Sequence, residues 1–93
     1  MKNYIINNNS YEIVKNYKDG FDYEEVKSKC SETDYFDSYD YIVGDYAYGK
    51  LRLKGFYDDK NPKSNKINKY SLVDKYIEDN CAYGCKYFIA KKI

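Results

Sequence analysis

The chain has 93 residues and a mass of 11.1 kDa, which leaves room for one small domain and excludes a second core or a catalytic lobe. Its 43% hydrophobic share includes 14 Tyr and 4 Phe with no Trp, so much of the apolar area carries a hydroxyl that needs a partner. The net charge of +1 excludes a whole-molecule field toward DNA or an anionic membrane, yet residues 1–49 hold 10 acids and 5 Lys whereas residues 50–93 hold 11 basic residues and 5 acids.

The first elements expected are two short strands, around Tyr4–Ile6 and Tyr11–Lys15, joined through Asn7-Asn8-Asn9-Ser10, whose residue types tolerate turns. After the Asp19-Gly20 break, Phe21 at N′, Asp22 at the N-cap, Glu25 at N3 and Val26 at N4 specify a helix start with a capping box and a hydrophobic staple. Val26 and Cys30 share one face of that helix, and residues 31–38 show no period and read as a loop.

Tyr39–Asp45 and Lys50–Tyr57 read as strands, with Asp45-Tyr46-Ala47-Tyr48-Gly49 as a hairpin loop between them. Alternation in the second strand sends Leu51 and Leu53 to the core and gathers Lys50, Arg52 and Lys54 on the other side. Residues 58–69 contain the only Pro and almost no apolar residue, so they should form an exposed connection, with Lys60, Lys63, Lys66 and Lys69 at every third position. Ser71 can cap a second helix with Asp74 at N3 and an apolar stripe of Leu72, Val73, Tyr76 and Ile77, and Gly84 can stop it. Lys86–Ala90 closes the order as a strand whose Tyr87-Phe88-Ile89-Ala90 run predicts burial on both faces. The sum is an α+β domain spanning residues 1–93, with a small mixed or mostly antiparallel sheet of about five strands and two helices.

The stretch Tyr39-Asp40-Tyr41-Ile42-Val43-Gly44-Asp45-Tyr46, continued by Tyr48-Gly49-Lys50-Leu51-Arg52-Leu53-Lys54-Gly55-Phe56-Tyr57, resembles the YutD-like family of small bacterial proteins. The segment from Ile77 to Phe88, in which Cys81 and Cys85 flank Tyr83-Gly84, is similar to that family's C-terminal signature, and Tyr11-Glu12-Ile13-Val14 with Gly20-Phe21 also fits. The resemblance implies a single small fold and brings no activity with it.

The Cys81-x-x-x-Cys85 spacing admits a redox pair, with buried packing residues as the plainer reading. The chain has no His and Cys30 is the one other thiol, so neither a metal site nor a cofactor is expected. The missing His also removes the usual base for a Ser or Cys nucleophile, which argues against an enzyme without excluding it. Asp40 and Asp45 are five residues apart and do not form a carboxylate pair on a regular strand, and Asp45 is better read as a turn former or a partner for Arg52.

Two binding readings follow. In the first, Lys50, Arg52 and Lys54 attract phosphates while Tyr46 and Tyr48 stack on bases, so that the partner is RNA or a ribonucleoprotein. In the second, the acidic stretch from Asp22 to Asp45 and exposed Tyr rings hold a protein partner or a second copy, the oligomeric state being left open. No apolar run approaches the roughly 20 residues needed to span a bilayer. The start of the chain lacks a signal-peptide core, and three Cys suit a reducing compartment, so the expected location is cytoplasmic, with no membrane partner.

Overall fold

The Asn7-Asn8 step turns the chain because both residues take left-handed φ values, 50° and 67°, which Asn tolerates better than most side chains. It joins β1 (Asn3–Ile6) to β2 (Asn9–Tyr17) as a two-residue hairpin with Ile6 opposite Asn9. In this computed structural model, which describes residues 3–33, 36–47, 49–66, 68–80 and 86–93, the other elements are α1 (Tyr23–Ser31), β3 (Tyr41–Ala47), β4 (Lys50–Phe56), a 3₁₀ turn (Tyr70–Leu72), α2 (Val73–Asn80) and β5 (Tyr87–Lys92). The five strands form one sheet in the order β1-β2-β5-β3-β4, and every neighbouring pair is antiparallel.

β5 lies in the middle of that order, which is why its run of Phe88, Ile89 and Ala90 is buried throughout. Alternating residues serve two separate cores. On one face Ile6, Tyr11, Ile42, Leu51, Phe88 and Ala90 pack with Val26 and Cys30 of α1. On the opposite face Tyr41, Val43, Phe56 and Ile89 pack with Val73 of the second helical segment. The sheet is therefore a middle layer with one helix against each side.

Asp22 caps α1 as expected, its carboxylate accepting the Glu25 N–H at 3.2 Å. The C-terminal end of α1 is tied down by Asn7, whose side-chain amide donates to the Cys30 carbonyl at 2.7 Å and the Thr33 carbonyl at 3.1 Å. The hairpin turn thus helps to close the helix.

Three local expectations are corrected. Asp45 and Tyr46 do not belong to the hairpin loop: β3 continues to Ala47, because Asp45 pairs with Arg52 and Tyr46 with Leu51 in the β4 register. Ser71 is not an N-cap. It lies inside the 3₁₀ turn, and its own N–H donates to the Asp59 carboxylate at 3.0 Å while Tyr70 stacks on Tyr41 with ring centroids 3.9 Å apart. The basic side of β4 is not wholly a solvent face either, since Phe56 shares that side with Lys50, Arg52 and Lys54 and is fully buried in the second core. Gly84 lies outside the described residues.

Candidate functional site

Arg52 stands directly across β3–β4 from Asp45, and the strand register brings their side chains into a two-point contact. The guanidinium donates from Nη2 to Oδ2 at 2.6 Å and from Nε to Oδ1 at 3.3 Å. The Asp45 side chain is only 2% exposed whereas that of Arg52 is 43% exposed, so the pair straddles the boundary between core and solvent. A carboxylate buried to that degree depends on its counter-charge, and the one Arg in the chain is committed to it.

The neighbouring lysines differ in kind. Lys50 is exposed beside the hairpin turn and borders an open groove with Glu25, Lys29 and Glu32 of the α1 side. Lys54 is half-buried, with its Nζ 5.5 Å from the Phe56 ring centroid and 5.7 Å from that of Tyr76. Tyr46 is half-buried on the α1 face; its hydroxyl donates to Glu25 Oε2 at 3.0 Å, and Lys86 Nζ lies 4.3 Å from its ring centroid. The ring expected to stack on bases is thereby engaged at its edge and on one face. Tyr48, Cys81 and Cys85 lie outside the described residues.

The acidic stretch is likewise largely absorbed by folding. Asp22 caps α1, Glu25 accepts from Tyr46, Asp37 accepts from the Asn7 amide at 3.3 Å, and Asp45 holds Arg52. Asp40 Oδ2 accepts from the Asp58 N–H at 2.8 Å and from Asn61 Nδ2 at 2.9 Å, which anchors the start of the long connection. Among the described residues only Tyr17 of the tyrosines is exposed, because most of the others pack ring against ring, as in Tyr4–Tyr23 at 4.9 Å and Tyr39–Tyr57 at 4.6 Å. Cys30 is buried, and burial foremost, then Asp37, pushes its thiol up to about 11, so it stays protonated and unreactive near neutral pH. No group of three or more His, Cys, Asp or Glu among the described residues could hold a metal ion.

The family described as "Putative antitoxin YutD-like" matches residues 5–91. The chain belongs to the YutD-like family. It is 49% identical over 89 residues to "Putative antitoxin YutD" of Bacillus subtilis (strain 168), a match covering 96% of each chain. The solution NMR structure of the protein yutD from B. subtilis superposes with a TM-score of 0.80 at 46% identity, covering 100% of this chain and 83% of that one. The resemblance read from residues 39–57 and 77–88, together with 11–14 and 20–21, is thus borne out over residues 5–91.

Two features of this YutD-like chain are invisible in local sequence patterns. The first is an apolar surface on the second sheet face, beyond the reach of the α2 core. Ile5 and Ile93 flank Ser10 there, since Ile5 is its β1 partner and the Ile93 N–H donates to the Ser10 carbonyl at 2.9 Å. Val14 sits at the break in the β2–β5 register between Ile13 and Lys15, and Tyr17 stacks on Tyr87 across the same strands at 5.1 Å. The second is a cleft between β4 and α2 that joins Lys54 to Lys66 and Lys75.

Tyr46 also makes a pH prediction. Burial first, then its bond to Glu25 and the charges of Glu25 and Asp22, raise its pKa from 10.0 to about 12. The folded form holds this proton more tightly than the unfolded form, so the stabilisation is complete below pH 10 and is lost as pH rises toward 12. Tyr11, raised to about 12 mainly by burial, acts in the same direction. Thermal melts should show Tm falling steeply between pH 10 and 12, and Tyr46→Phe should make that fall shallower. An equal slope in the variant would show that Tyr46 is not one of the groups responsible.

Proposed function

We propose that this chain acts stoichiometrically, holding another protein and keeping it inactive, and that it does not act as an enzyme. The observation that carries the reading is the uncovered part of the second sheet face, where along β2 and its neighbours Ile5, Val14 and Ile93 are 58%, 50% and 66% exposed and Tyr17 is 42% exposed. Apolar area left in water forgoes about 25 cal/mol per Å² that a partner can restore. A small domain gathers such residues on one face most readily where something covers them. Lys15, 5.5 Å from the Tyr87 ring, Lys18, 5.6 Å from the Tyr17 ring, and Lys91 accompany this face, against Glu12 and the nearby Asp74 of α2, so its charge suits a partner surface with an apolar centre and an acidic rim.

The name of the 49% identical relative supports the reading, because an antitoxin implies a partner to be restrained. The RNA reading of the Lys50, Arg52 and Lys54 strand face loses support from the Asp45 ion pair, which already occupies the guanidinium. The surface drawn from the acidic stretch and Tyr rings loses support for a similar reason, since most of those groups are engaged inside the fold.

Depleting the protein from its own cells should arrest growth, with suppressor mutations falling in a single other gene. The product of that gene should co-purify with wild type and bind Val14→Asp/Tyr17→Asp at least 10-fold more weakly. Both positions are exposed, so the variant should fold normally. Unimpaired growth after depletion would overturn the reading, and a complex indifferent to the double substitution would remove this face from it.

A further inference from the structure

Lys54, Lys66 and Lys75 come from three separate segments, β4, the long connection and α2, and converge on one open cleft of about 530 Å³. Phe56, Leu72 and Tyr76 supply its apolar wall, and Asp79 is the acid that accompanies them. Among the described residues none of the three lysines forms a salt bridge. The nearest deeply buried carboxylate on this side of the sheet, Asp45, is already held by Arg52.

Three ammonium groups facing one carboxylate leave the cleft with a net positive charge, and like charges gathered beside a low-dielectric wall repel one another unless an anion joins them. Lys54 is the most constrained, half-buried with its Nζ poised in front of the Phe56 and Tyr76 rings, which form an edge-to-face pair at 5.6 Å. The volume falls within the range of small-molecule sites, where an apolar wall combined with a few convergent charges is the usual design. A ligand with a planar apolar part and at least one phosphate matches both halves of that lining.

We propose that this cleft binds the phosphate of a nucleotide, presented free or within a single strand, with Lys54, Lys66 and Lys75 contacting phosphate oxygens and Tyr76 and Leu72 bounding the base or sugar. The site shares no residue with the apolar face assigned to a protein partner, so either assignment can fail alone. Lys66 belongs to the every-third-residue lysine series of the connection, and the cleft singles it out from Lys60 and Lys63, which do not line it.

The test uses the full-length protein with three probes, pyrophosphate, ATP and a 12-nucleotide single-stranded RNA of mixed sequence. All three should shift the NMR signals of Leu72 and Tyr76. Three phosphate contacts on a single strand predict a salt slope of about −2, or roughly 20-fold weaker RNA binding at 200 mM than at 50 mM salt. Lys66→Gln/Lys75→Gln should weaken binding at least 10-fold and lower the slope toward about −0.7, the value for one remaining contact. Lys60→Gln/Lys63→Gln, which removes the same charge outside the cleft, should bind as wild type, and so should Val14→Asp/Tyr17→Asp.

RNA binding much tighter than ATP binding identifies a strand as the source of the phosphate, and ATP binding as tight as RNA identifies the free nucleotide. Absence of any shift at Leu72 and Tyr76 with all three probes overturns the proposal. Equal weakening by the two lysine pairs overturns it as well, since that would mean a diffuse charge effect.

Discussion

Replacing Gly44 with alanine is expected to lower stability by about 3 kcal/mol, reducing Tm by roughly 15 °C for a domain of this size. Gly44 sits in the interior of β3 with Phe88 of β5 on one side and Leu53 of β4 on the other. The Phe88 ring lies over the Gly44 backbone, in the space that a Cβ would fill, and both residues are buried. The ring cannot swing away, because it is also packed edge-to-face on Phe21 at 5.0 Å beneath α1. The added methyl must therefore displace β5 or force Phe88 off its rotamer, and β5 is the strand that links the two halves of the sheet. Urea denaturation of Gly44→Ala checks the magnitude, and Gly44→Ala/Phe88→Leu should lose less than the two single changes added together. A Gly44→Ala protein as stable as wild type would show that the ring does not need this space.

Arg52→Gln should destabilise the fold by about 2–3 kcal/mol. Removing one partner of a buried ion pair strands the other charge, at a usual cost of about 3–5 kcal/mol. The lower figure applies because the Arg52 side chain is 43% exposed and water can reach part of the site. The carboxylate is the side that suffers, so Asp45→Asn/Arg52→Gln should recover more than half of the loss, replacing a stranded charge with neutral groups that can still hydrogen-bond. Arg52→Lys should recover little, because a single ammonium cannot reproduce the two-point contact at 2.6 and 3.3 Å. Equilibrium unfolding of the four proteins at pH 7 measures each step. A loss below 0.5 kcal/mol in Arg52→Gln would mean that Asp45 is adequately solvated without its partner, and Arg52 would again be available to an external phosphate. For the same reason, weaker ligand binding in an Arg52 variant has to be read against its stability.

The elements themselves are written in short-range chemistry. The Asp22 cap, the left-handed Asn pair, the Leu51 and Leu53 alternation, and the uninterrupted apolar run of β5 each depend on residues within a few positions of one another. Those signals were sufficient for the order of strands and helices, and the motifs at residues 39–57 and 77–88 were sufficient for the family. The candidate site was only partly legible. Lys54 stands out from the strand pattern, whereas Lys66 and Lys75 join it only because the connection and α2 fold back across β4.

Side-chain availability is the property that local sequence could not supply. Arg52 looks like one of three equivalent basic residues on a strand, and its difference from Lys50 comes from the cross-strand register that puts Asp45 opposite it. Tyr46 looks like a surface ring until α1 lays Glu25 against its hydroxyl. Ile5 and Val14 look like ordinary strand residues, and they are exposed because α2 covers the β3–β4 side of the second face and leaves the β1–β2 side open. By itself the sequence determined the order and type of the elements and the family, because hydrogen-bonding and periodicity act between near neighbours. The tertiary structure alone decided which charges and rings are left exposed, because burial and ion pairing depend on contacts between residues far apart in the chain.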